Sequence, residues 1–86
     1  MKICISDELK RTMIKIKKKD MAFFRRVQMK INQISACDEE MIHRFKNLRG
    51  SMSNYKRVHI ESYVLLFRIE GDLLIFDRLV HHDEAS

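Results

Sequence analysis

From Tyr55 onward the helical period of this chain gives way to a period of two, and this change constrains the fold more than any other feature. In "YKRVHI", Val58 and Ile60 fall on one side and Arg57 and His59 on the other. "YVLLFRI" and "LLIFDRLV" are longer apolar strands, joined through Glu70-Gly71-Asp72, a turn with glycine where a positive φ is needed. Three strands packed into the last third of the chain need a cover for one face. The first half must supply it.

It has the material to do so. "KICIS" alternates and predicts a short first strand, and Ser6-Asp7-Glu8 then reads as a helix start with acids at the positive end of the dipole. Leu9, Met13 and Ile16 recur at helical spacing, and the polar run Lys17-Lys18-Lys19 closes that helix. Asp20 is placed to cap a second helix with the apolar stripe Phe24, Val27, Ile31 and Ile34. "SACDEE" breaks the helical pattern, and "MIHRFKNLRGSMSN" reads as a polar, basic connection. The expected fold is α+β, in the order strand, helix, helix, three strands, with the helices on one face of a small sheet.

The chain has 86 residues, enough for one domain, 1–86, with one modest core. No proline and two glycines argue against long irregular loops. The apolar runs are too short to span a bilayer, and Met1-Lys2-Ile3-Cys4 opens a strand rather than a signal peptide. Cys4 and Cys37 match no metal or redox spacing and read as buried, reduced thiols of a cytoplasmic protein.

Charge is unevenly spread. Between Lys10 and Lys30 nine basic residues face one acid, Asp20. Such a field attracts a polyanion or an acidic protein, or else only solvates a helix face.

The titratable groups cluster around the later strands. His43, Arg44, Lys46 and Arg49 lie in the connection, Lys56, Arg57 and His59 on the second strand, and His82 and Asp83 after the last. His82 shares a strand face with Val80 and Arg78, whereas adjacent His81 and His82 should point opposite ways, which makes a poor chelator unless the strand ends there. No glycine loop for phosphate and no serine or cysteine set beside a base is visible, and no cofactor is implied. Histidines and cations without a nucleophile or a metal suit RNA cleavage, because RNA supplies its own 2′-OH as nucleophile. Histidine can act as base or acid near neutral pH. The plainer alternative is exposed histidines at strand ends.

The ordered set "NLRG", "YKRVHIESYVLLFRIEGD" and final "VHHD", preceded by the basic "KRTMIKIKKKDMAFFRRVQMKINQI", resembles the RelE/ParE superfamily of type II toxins over essentially the whole chain. The resemblance implies two N-terminal helices packed on a small, twisted, antiparallel-rich sheet. It implies an mRNA interferase acting on the ribosome and a cognate RelB-like antitoxin as partner. Carried over, Arg57, His59 and the competing Lys56 stand at the basic positions of the second strand. His59 and His82 match the histidine-using YafQ-type branch, with Asp83 beside His82. Val64 follows Tyr63 where many members have arginine, and the terminal tyrosine of common members is missing. On this reading Arg44, Lys46, Arg49, Lys15, Lys17, Lys18, Lys19, Arg25 and Arg26 would hold RNA or ribosome, and Tyr55 and Tyr63 are candidates to stack on a base. The alternatives are a ParE-like gyrase poison and a silent member that only binds its antitoxin.

Overall fold

Ser6 joins the two halves of the molecule. In the computed structural model, which describes residues 1–47 and 54–83, its hydroxyl oxygen accepts from the Leu9 amide and so caps α1 (Asp7–Lys19). The same hydroxyl donates to the carbonyl of Asp77 in β4 (Leu73–His81), and the Ser6 amide donates to the Phe76 carbonyl at 2.9 Å. Asp77 is the extra residue of a β-bulge, because the ladder runs Leu66↔Arg78 and then Phe67↔Phe76. The carbonyl released by the bulge is thus taken up by the helix cap.

Asp20 ends α1 and caps α2 (Met21–Ser35), its carboxylate accepting from the Phe23 amide at 3.0 Å. The three lysines before it sit where the negative end of the α1 dipole favours cations. β2 (Lys56–Ile60) and β3 (Tyr63–Glu70) form a hairpin, and β3 pairs antiparallel with β4. β1 (Lys2–Ile5) runs parallel to β4, giving the mixed order β1-β4-β3-β2. Gly71 takes φ 63° in the β3–β4 turn, as its place in the sequence requires.

The core lies between the helical hairpin and one sheet face. It contains Leu9, Met13, Phe23, Val27, Ile31 and Ile34 from the helices, with Ile60, Leu65, Phe67, Leu74, Phe76 and Leu79 from the strands. The α+β order and the helices on one face are as expected. Three details differ. Phe23 rather than Phe24 is the buried ring of α2, because it stands four residues before Val27 on the stripe that faces the sheet, while Phe24 packs partly buried beside it. Residues read as connection form a third helix, α3 (Glu39–His43), capped by Asp38 and anchored by the fully buried Ile42. Cys4 is exposed rather than buried, because β1 is an edge strand with a neighbour on one side only.

Candidate active site

The period of two places Arg57 and His59 on the sheet face away from the helices. Val64 and Leu66 of β3 share it, with Tyr55 and Val80 packed on them. Register sets the rows: Arg57, Leu66 and Arg78 in one, and His59, Val64 and Val80 in the next. The middle of this face is apolar, and its polar groups stand on the flanking strands.

Of the arginines on this face, Arg78 lies 2.6 Å from Asp77 and 3.6 Å from Glu8. The hydrogen bond to Asp77 raises its pKa above the ordinary arginine value. Arg68 pairs with Glu70, which likewise raises its pKa, and lies over the Tyr55 ring at 5.8 Å. Among the described residues Arg57 and His59 have no ion-pair or hydrogen-bond partner for their side chains. They are the uncommitted cation and imidazole of this face.

The connection before β2 returns along the edge of that strand. Asn47 bridges to Lys56, and the Arg57 amide donates to the Lys46 carbonyl at 2.9 Å. Between the two segments lies a cleft of about 380 Å³ lined by Arg44, Phe45, Lys46, Arg57, Val58 and His59. Four sequence candidates therefore come together: Arg44, Lys46, Arg57 and His59. A groove with three cations and an imidazole on its wall suits a phosphodiester.

Lys56 does not join them. It alternates onto the helix side, is 8% exposed, and its ammonium donates to Asn47 Oδ1 at 2.9 Å and to the carbonyls of Phe45 and His43 at 3.4 and 3.5 Å. Those bonds tie the connection to β2, so the geometry makes Lys56 a clamp rather than a phosphate ligand. Arg49 lies outside the described residues.

His82 stands at the end of the sheet. Its amide donates to the Ser62 carbonyl at 2.9 Å, and its Nδ1 lies 3.2 Å from the same oxygen. With Nδ1–H donated there, Nε2 points to Asp83, 3.0 Å from its Oδ1. His81 and His82 do not point apart. β4 ends at His81, the chain turns, and the ring centroids are 4.7 Å from each other. His81 also meets Tyr63 edge-on at 5.5 Å, and Tyr63 packs on Phe23 at 5.2 Å, so Tyr63 is wedged between rings rather than free to stack. His59 and His82 do not touch.

The basic hairpin is divided. Arg26 pairs with Glu61 at 2.5 Å, and Lys17 lies 5.5 Å over the Phe24 ring. Lys15 and Lys19 line a cleft of about 420 Å³ on the helix side, with Phe23, Glu61, Ser62 and Tyr63. Lys18 and Arg25 are exposed. The roles of Phe45 and the Ser62 carbonyl have no signal in composition.

No family model matches the chain. The fold is that of a YoeB/ParE toxin from Agrobacterium tumefaciens, with TM-score 0.76 and 13% identity over 95% of this chain and 99% of that one. It is also that of a chain in the Escherichia coli DinJ-YafQ toxin–antitoxin complex, with TM-score 0.60 and 22% identity over 95% of this chain and 92% of that one. The fold is thus the one that these small toxins share. RelE4 of Methanocaldococcus jannaschii is 32% identical over 82 residues, 92% of this chain and 83% of that protein. The chain belongs to the RelE/ParE superfamily of type II toxins.

Proposed function

We propose that this toxin is a ribosome-dependent endoribonuclease that cleaves messenger RNA without a metal cofactor. The observation that supports this best is the β2-edge groove, where Arg57 and His59 stand uncommitted beside Arg44 and Lys46. In the reaction one histidine accepts the 2′-OH proton and the freed oxygen attacks the adjacent phosphorus. The bond to the 5′-oxygen breaks, and the other histidine protonates that leaving oxygen. His59 and His82 fill these two roles, with Asp83 holding His82. Arg57 stabilises the charge gathered on the phosphorane, and Arg44 and Lys46 hold flanking phosphates. Lys15, Lys17, Lys18, Lys19 and Arg25 dock ribosomal RNA from the opposite face. A cognate antitoxin holds the toxin inactive in the cytoplasm.

A ParE-like gyrase poison is the second reading, favoured by Val64 standing where many ribonuclease members have arginine. Expression of the chain alone and together with the protein encoded beside it tests both. Growth arrest with truncated messages, relieved by the neighbour, supports the first. Arrest with intact messages and inhibited supercoiling supports the second.

A further inference from the structure

The end of β4 brings together three groups that the cleavage chemistry does not use as a set. His81 Nδ1 lies 3.4 Å from one carboxylate oxygen of Asp83, and His82 Nε2 lies 3.0 Å from the other. One donor atom from each residue falls within 4.8 Å of the other two. Their orientations are fixed by the neighbouring backbone. The Asp83 amide donates toward His81 Nδ1 at 3.5 Å, which marks that nitrogen as an acceptor. The Ser62 carbonyl accepts from His82 Nδ1–H, which turns Nε2 toward Asp83. One nitrogen from each imidazole and a carboxylate therefore converge on one point.

We propose that His81, His82 and Asp83 form a binding site for a divalent late transition-metal ion, with copper(II) preferred over zinc(II). Metal–ligand bonds of about 2.0–2.1 Å place donors about 2.9 Å apart at the right angles of a tetragonal copper site and about 3.3 Å apart in a tetrahedral zinc site. The 3.0 and 3.4 Å separations therefore already match, and only the longest must shorten. Two imidazoles and one carboxylate are borderline ligands, for which affinity rises along the divalent series to copper. The His82 Nδ1–H to Ser62 hydrogen bond is the outer bond that metal-bound histidines ordinarily make. Three consecutive residues close the chelate with little loss of chain entropy. Because the ion takes the Nε2 lone pair of His82, it blocks cleavage; this consequence rests on the function proposed above, whereas the site itself does not.

The chain has no tryptophan, and the Tyr63 ring lies 5.5 Å from that of His81, so tyrosine emission reports the site directly. Copper(II) is titrated into untagged Tyr55→Phe protein, with zinc(II) as competitor. Saturable quenching at one ion per chain, displaced by excess zinc, is expected. His81→Ala should weaken binding by at least about tenfold, while His43→Ala leaves it unchanged. Absence of saturable quenching, or equal affinity in His81→Ala, overturns the site. Quenching that leaves message cleavage at its parent rate overturns the inhibitory consequence and the role given to His82, but not the site.

Discussion

The imidazole of His82 lies 3.2 Å from the carbonyl oxygen of Ser62, one position beyond the last rung of the β3–β4 ladder. This bond holds one ring nitrogen as a donor and turns the other outward. The turn that carries Ser62 is itself strained. Glu61 adopts φ 56°, the left-handed region that costs a residue with a Cβ about 1–2 kcal/mol. Its ion pair with Arg26 helps hold it there.

His82→Ala removes an exposed ring and should change folding stability little, by about 0.5 kcal/mol or less. It should slow message cleavage by about 10²–10⁴-fold, the loss typical of a general acid or base. His81→Ala removes a packing neighbour but no reacting group and should cost far less. Denaturant melts and single-turnover cleavage of both variants measure the contrast. Equal rates for His82→Ala and the parent would take His82 out of the chemistry.

Lys56→Met tests the clamp. The substitution keeps the stem but strands Asn47 Oδ1 and two carbonyls, so a loss of about 1–3 kcal/mol is expected in urea unfolding. Any fall in cleavage should then follow the unfolded fraction and vanish when folded protein is compared with folded protein. A stable Lys56→Met protein with abolished cleavage would return Lys56 to the phosphate site.

The difference between Lys56 and Arg57 shows what is legible from sequence and what is not. Alternation alone puts Arg57 and His59 on one face, and Asp20 is recognisable as a cap from its place after three lysines. Alternation also puts Lys56 on the other face, but its partners lie 9 to 13 residues away and depend on how the connection folds back. α3 is illegible because five residues carry too little periodicity to read, although Asp38 and Ile42 hold it. The orientation of His81 and His82 depends on where β4 stops. The bulge at Asp77 and the pairing of His82 with Ser62 set that end, and neither has a sequence signature.

Ser6→Ala deletes both the α1 cap and the hydrogen bond to the bulge carbonyl. Loss of a cap costs about 0.5–2 kcal/mol, and the stranded Asp77 carbonyl should move the result to the upper end of that range. Ser6→Asp restores a cap acceptor but not a donor, so it should recover only part. Full recovery by Ser6→Asp would show that the hydrogen bond to the bulge is without weight.

The basic hairpin should reveal itself through salt. Replacing Lys15, Lys18 and Arg25 with glutamine should leave the fold intact, since all three are exposed. For every phosphate that the variant no longer neutralises, the slope of log affinity against log salt should fall by about one unit. Ribosome binding measured at several salt concentrations gives that slope. An unchanged slope would place the docking surface elsewhere.

The central claim concerns the origin of the nucleophile, and the ends of the cut message reveal it. Messages cleaved on programmed ribosomes, with magnesium kept for the ribosome and transition metals chelated, should be cut at full rate. Their upstream fragments should end in a 2′,3′-cyclic phosphate or the 3′-phosphate derived from it, and their downstream fragments should begin with a 5′-hydroxyl. Such ends require attack by the neighbouring 2′-oxygen, the reaction assigned to His59, His82 and Arg57. Downstream fragments beginning with a 5′-phosphate, or a 2′-deoxy substitution at the cut site that leaves the rate unchanged, would contradict it.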